Sequence, residues 1–271
     1  MQFEGKILRN RPRNLARPLA FIINKTSELM KYYLIIPLFF ITNLLLSQEN
    51  NTLNFIDTIR YYDISPLLTL EEFEVENGER TIQRPEPLGY IGNDFQRFYI
   101  RLISVIKNPD KDLEYFVYGK TKVKSNVCTF QGLINLNECK TYINGDVPGV
   151  KQGFVKGVYQ FYENPNEKNS GFFKGQITTH FYIDKNDTLK YDALMFVADG
   201  YKNNQFEGIW SSYDNYIVKN CNWGDFRIPD SRNFDIGAGE FSVNKKYIKN
   251  GWESYYLSLR LPNNKWWVDK E

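Results

Sequence analysis

Histidine is all but absent from this chain: His180 is the only one in 271 residues. One imidazole excludes a histidine-built zinc centre unless thiols or carboxylates complete it. It also leaves any Cys–His or Ser–His–Asp arrangement to that one residue, and no Gly-x-Ser-x-Gly elbow is present. His180 shares the polar phase of its strand with Lys174, Gln176, Thr178 and Tyr182, which reads as an exposed strand histidine. A phosphate-cradling Gly-x-x-x-x-Gly-Lys is missing, and Gly237-Ala238-Gly239 is only a fragment of a dinucleotide fingerprint with no helix pattern behind it. Asp184-Lys185-Asn186-Asp187-Thr188 echoes the start of a calcium loop. Leu189 stands where the loop needs glycine and Met195 where it needs the closing glutamate, so a hairpin turn is the better reading. No metal and no cofactor is expected.

Alanine is scarce, with five residues, and no long segment holds a 3.6-residue apolar period, which excludes a helical bundle. Frequent Asn and Lys beside so little Ala is the composition of an AT-rich bacterial genome. Only one long apolar run exists. Met30 and Lys31 precede the uncharged stretch from Tyr32 to Leu46, and Ser47 supplies a small residue before Gln48. That order is the order of a secretory leader. Residues 1–47 therefore read as a leader, with 1–29 an over-long start and 30–47 the signal peptide. Fifteen residues give about 22 Å of helix, short of a bilayer core of about 30 Å. An uncleaved signal-anchor, held by the basic flank of Lys6, Arg9, Arg11, Arg13, Arg17 and Lys25, is the alternative. The leader takes seven of the 34 basic and two of the 32 acidic side chains, leaving 27 and 30 in residues 48–271. The exported part is then near −3, not +2, and nucleic acid is not an expected partner.

What is abundant is aromatic: twenty Phe, nineteen Tyr and five Trp. With β-branched residues they favour strands. Residues 48–94, with Pro66, Pro85, Pro87 and the acidic run from Glu71 to Glu79, read as an irregular entry segment. Residues 95–271 read as one antiparallel β domain, a strongly curved sheet or barrel. Period-2 strands are expected over 95–107, 114–121, 122–130, 153–162, 172–183, 189–197, 206–213 and 252–261, with Asn108, Asn164 and Asp184 opening turns. A helical turn is expected over 244–249, closed by Asn250-Gly251. Lys120, Lys122 and Lys124 share one face, which reads as solvated.

A weak repeat crosses these strands. Its four copies are Phe130-x-Gly132-x-Ile134, Val155-x-Gly157-x-Tyr159, Phe173-x-Gly175-x-Ile177 and Phe206-x-Gly208-x-Trp210. Each glycine lies between two large side chains on one face, leaving room for a crossing side chain or a sharp bend. The spacing is too irregular for a solenoid. Phe206-Glu207-Gly208-Ile209-Trp210 resembles the strand signature of lipocalin-like barrels, and also the hairpins of MORN repeats, over five residues.

The densest polar stretch runs from Asn220 to Glu240. Asp225, Asp235 and Glu240 are its candidate catalytic carboxylates, in the pairing a glycosidase needs; the competing reading is a structural loop in which Arg227 pairs with a carboxylate. Trp210, Tyr213, Trp223 and Arg227 are candidate ligand-binding residues, the tryptophans as stacking platforms. Cys128 and Cys139 are close enough in sequence to staple a hairpin, against the alternative of three buried free thiols with Cys221. Trp266-Trp267 is expected to plug a barrel end. Together these point to an exported protein, periplasmic, surface-attached or secreted. It binds a small apolar or carbohydrate ligand, or an envelope protein, without catalysis, and touches the membrane only through an uncleaved leader. An envelope hydrolase and a structural envelope component are the alternatives. The leader yields the first prediction: protein purified from its native host has an intact mass that begins at Gln48, and a mass retaining Met1 or Met30 would instead establish an anchor.

Overall fold

The computed structural model describes residues 51–75, 80–257 and 265–268; the expected leader, 1–47, lies outside them. Eight antiparallel strands close into a ring. In chain order they are β4 (Leu88–Ile91), β5 (Gln96–Lys107), β6 (Glu114–Val123), β7 (Asn126–Tyr142), β8 (Lys151–Glu163), β9 (Gly171–Ile183), β11 (Asn203–Ser212) and β12 (Val218–Asp225). Each pairs with its predecessor, and β12 returns to β4 through Cys221↔Ile91 to Gly224↔Leu88. Two short strands extend the wall: β1 (Thr52–Asn54) on β7 and β10 (Leu189–Tyr191) on β9. A separate hairpin is formed by β2 (Glu72–Val75) and β3 (Arg80–Gln83). The all-β, barrel-like class is thus what the period-2 pattern led one to expect.

The turns follow from side-chain chemistry. Asn108, Asn164 and Asp184 each accept the amide two residues on, at 2.9, 3.0 and 2.9 Å, so a polar side chain replaces a ladder bond and the strand stops. At Asp192 the same device ends β10 early. Its carboxylate accepts the Leu194 amide at 3.2 Å, and the chain leaves the sheet six residues before the expected Val197. Nor do residues 252–257 form the start of the expected 252–261 strand, whose remainder, 258–261, lies outside the described residues. The turn at Lys245–Tyr247 forms, capped by Asn244, and Gly251 reverses the chain at φ +90°. Trp252 then buries its indole and opens the one-turn helix Glu253–Tyr256, since the Tyr256 amide finds the Trp252 carbonyl at 2.9 Å.

Inside the ring the core is aromatic and full. Phe206 stacks on Trp223 with centroids 4.7 Å apart, Tyr159 meets both at 5.4 and 5.3 Å, and Phe161 and Phe130 continue the row at 5.0 Å spacings. The repeat glycines make this possible. Gly132 sits opposite Phe161, Gly175 opposite Tyr159 and, outside the repeat, Gly119 opposite Phe130 and Gly89 opposite Trp223. Gly175 and Gly208 face each other across β9 and β11, and a Cβ on either would lie 2.8 or 2.5 Å from the Tyr159 hydroxyl. The crossing side chain the repeat leaves room for is therefore Tyr159. Outward positions on the ring strands are mixed: Gln160, Lys174, Gln176 and Glu207 are exposed and polar, Ile106, Phe116, Tyr118, Val158 and Tyr162 exposed and apolar or aromatic. Among the described residues no helix is long and apolar enough to cross a membrane.

The entry segment is more ordered than its composition suggests. Ile59 of one short helix (Ile56–Ile59) and Leu67 and Leu68 of a second (Ser65–Thr69) join the inner core, as does Ile64 between them. Pro66 fits because the first helical turn needs no amide there. These residues, not Trp266-Trp267, fill out the barrel's apolar interior. A second core lies outside the wall, where Leu88, Tyr90 and Phe95 meet Ile228, Phe234, Phe241, Val243 and Trp252 of the segment after β12. The Trp252 indole N–H donates to the Phe95 carbonyl at 2.8 Å.

The Tyr159 hydroxyl is buried and has no hydrogen-bond partner among the described residues. An unsatisfied buried hydroxyl costs about 1–3 kcal/mol. Tyr159→Phe is therefore expected to raise the urea midpoint, and Gly208→Ala, which drives a methyl against that ring and the Lys174 carbonyl, to lower stability by about 1–3 kcal/mol. A stabilised Gly208→Ala protein would refute this packing.

Candidate functional site

Among the described residues the barrel interior is packed with aromatic and aliphatic side chains, and a pocket beside Leu68, Arg84, Asn204 and Asp225 holds about 20 Å³, at most one water's worth. The larger space is on the outside. A cleft of about 850 Å³ opens between the outer face of β4–β6 and the loops at 196–201, 226 and 239–241, with Ser254, Tyr255, Trp266 and Trp267 completing it. Its volume is in the range of small-molecule sites.

Strand alternation builds its floor. Phe98 and Ile100 point into the barrel, so Arg97, Tyr99 and Arg101 point out, and Lys122 stands opposite Tyr99 on β6. Lys122 thus lines the cleft and does not simply face solvent as its periodicity suggested. Arg97 is 5% exposed. Its guanidinium lies 4.4 Å from the ring centroids of both Tyr99 and Trp252, donates to the carbonyls of Pro87 at 3.2 Å and Gly89 at 3.4 Å, and meets Glu86 at 3.8 Å. Burial pulls its pKa below the ordinary arginine value, with Glu86 working the other way. The Trp266 indole N–H donates to Glu86, Lys122 stands 5.9 Å over the Trp266 ring and Arg101 4.8 Å over Trp267. The tryptophan pair is thereby pinned to the outer wall as one side of the cleft. Opposite chemistry comes from Phe196, Tyr201 and Phe226, whose rings contact one another at 5.1–5.7 Å, and from the exposed carboxylates of Asp199 and Glu240.

The residues singled out from sequence scatter. Asp225 is 1% exposed and inside the barrel end. It pairs with Arg84 at 2.9 Å and accepts from Tyr191 at 3.0 Å and Asn204 at 2.9 Å. Asp235 accepts the amides of Gly237 and Ser242 and pairs with Arg227 at 3.2 Å, while Arg227 also donates to the carbonyls of Gly237 and Ala238. Those two residues shape the loop, as the structural reading had it. Glu240 alone of the three carboxylates lines the cleft, so Asp225, Asp235 and Glu240 do not converge. Trp223 is in the inner core, and Trp210 and Tyr213 lie around Glu163, far from a shared surface with Arg227.

Cys128 and Cys139 are not joined; with Cys221 they are buried free thiols. Both stand on β7 eleven residues apart, about 36 Å along an extended strand, so no hairpin brings them together. Burial pushes both thiols up to about 12 and Cys221 well above its usual value, the state of inert cysteines. His180 is half-buried, not exposed, and burial lowers its pKa. Asp184 and its neighbours form the expected hairpin turn, and among the described residues no three His, Cys, Asp or Glu side chains converge as metal ligands. Period-2 reading placed Arg97, Tyr99 and Lys122 on outward faces; nothing in it showed that a distant segment would return to roof them.

No family model matches the chain, and no curated protein and no solved structure matches it either.

Glu163, 4% exposed, accepts from Thr121 at 2.5 Å, Gly171 at 2.9 Å and the Trp210 indole at 3.0 Å. Burial raises its pKa, and these three bonds only partly offset that. Below the ordinary carboxylate pKa, folded and unfolded chains both hold the proton; as pH rises through the raised folded value, a buried acid must ionise and stability is lost. A glutamine can keep all three contacts. Glu163→Gln should therefore gain stability over the wild type as pH rises above the ordinary glutamate pKa of about 4.3, read from urea midpoints; a difference constant with pH would refute the assignment.

Proposed function

We propose that this is an exported, non-catalytic binding protein that holds a small, largely apolar ligand in the cleft on the outer wall of its barrel. The observation that carries the reading is the cleft itself: about 850 Å³, walled by the rings of Tyr99, Phe196, Tyr201, Phe226, Tyr255 and Trp266, beside a barrel interior that is already filled. Aromatic walls supply large apolar area at low entropic cost, and few polar groups are needed to orient a guest. The leader-like segment supports export. A filled interior weighs against a ligand held in the barrel, and the dispersal of Asp225, Asp235 and Glu240 gives the hydrolase reading no observation of its own.

A neutral fluorescent amine, N-phenylnaphthylamine, tests the site. It should bind the wild type with enhanced emission, and Ser254→Trp, which places an indole in the cleft, should abolish binding without lowering the melting temperature. Undiminished binding to a folded Ser254→Trp protein would move the ligand elsewhere, and no binding to the wild type would remove the reading.

A further inference from the structure

The cleft carries an imbalance of charge at one end that an apolar guest alone does not answer. Arg97 and Lys122 both stand on the ring of Tyr99, the first 4.4 Å and the second 5.4 Å from its centroid. Two like charges on one ring repel, and the repulsion is weakly screened where solvent is displaced. One carboxylate, Glu86, stands against the two of them. Arg97 spends its donors on two backbone carbonyls at 3.2 and 3.4 Å and has Glu86 no nearer than 3.8 Å. Glu86 is itself shared with the Trp266 indole. Lys122 has no ion pair among the described residues; its neighbours are the rings of Tyr99 and Trp266. Arg101, which shares the outer face of β5, is already committed to Glu71.

We propose that the Arg97–Lys122 end of the cleft binds the anionic head of an amphipathic ligand, a carboxylate, sulfonate or phosphate, whose apolar body lies along the aromatic walls. The proposal rests on the cleft being the ligand site. The Arg97 guanidinium, buried between Tyr99 and Trp252 with its donors on Pro87 and Gly89, adds fixed positive charge behind the site, and the half-buried Lys122 beside it is the flexible point charge that reaches the anion. The rest of the cleft excludes a different orientation. Asp199 and Glu240 stand on the 196–201 and 239–241 loops and repel an anion there, so the head has one place to sit and the tail runs toward Tyr201 and Phe226.

The test pairs two probes of similar shape, anilinonaphthalene sulfonate and the neutral N-phenylnaphthylamine, titrated against wild type, Lys122→Glu and Ser254→Trp. Lys122 is only half-buried, so its reversal spares the fold, which circular dichroism checks. Lys122→Glu should weaken the sulfonate at least about tenfold relative to the neutral probe, and added salt should weaken the sulfonate in the wild type. If both probes bind the wild type, both are lost in Ser254→Trp, and Lys122→Glu leaves their affinity ratio unchanged, the anion assignment is overturned while the cleft stands. Sulfonate binding that survives Ser254→Trp also overturns it. If neither probe binds, the cleft reading fails and takes this inference with it.

Discussion

The packing of large rings against glycines governs this structure. A closed ring of eight strands encloses a volume that side chains are just able to fill, and here rings fill it. An indole or phenol cannot lie flat across a sheet if the facing residue has a Cβ in its way. Gly89, Gly119, Gly132 and Gly175, each opposite an inward aromatic, remove that obstacle, and the ring in turn covers the backbone the glycine leaves bare. The core thereby becomes continuous from Phe130 to Trp223. Among the described residues the large cleft lies outside a barrel packed this way.

The outside acquires chemistry because the chain after β12 folds back. The segment holding Phe234, Phe241 and Trp252 creates a second apolar core against the outward face of β4 and β5, and the wall residues next to that core are the ones that line the cleft. Arg97 shows the connection: Trp252 covers one side of its guanidinium and Tyr99 forms part of the cleft floor. Polar groups elsewhere serve the fold. Arg84 and Asp225 form a buried pair that also satisfies carbonyls of the short helix at 65–69, Arg84 reaching Leu68 at 2.7 Å and Asn204 reaching Leu67 at 2.9 Å. Burial of such a pair roughly offsets its attraction; what it contributes is a fixed position for the entry segment.

Much of this was legible in the sequence, and the boundary has a physical cause. Period-2 alternation reports which face of a strand is apolar, so β5, β8, β9, β11 and the class of the fold could be read, while the strand expected over 122–130 is broken by a turn at Lys124-Ser125 and β7 runs on to Tyr142. Asx residues announce their turns locally, as at Asn108 and Asn164. The glycine repeat announced a crossing side chain, though not that it was Tyr159. Leu189–Val197 and the described part of the last expected strand, 252–257, misled because alternation does not say whether a side chain such as Asp192 will capture the next amides, or whether a tryptophan will be buried as an anchor. The site was hidden for a related reason. Asp235 and Arg227 pair because a long irregular segment needs internal hydrogen bonds, and Asp225 ends β12 and pairs with Arg84, whereas Tyr99, Lys122, Phe226 and Trp266 come together only through closure and return of the chain.

The ring has one thin member. β4 contributes four residues, joined to β12 by four register pairs and to β5 by two. Its inward Ile91 belongs to the inner core and its outward Leu88 and Tyr90 to the outer one. Ile91 and Cys221, which meet at that seam, are about 130 residues apart in the chain. Closing the ring carries the loop-closure cost of that long separation, and the same short strand completes both cores. The wall that supports the cleft and the barrel behind it share one four-residue strand.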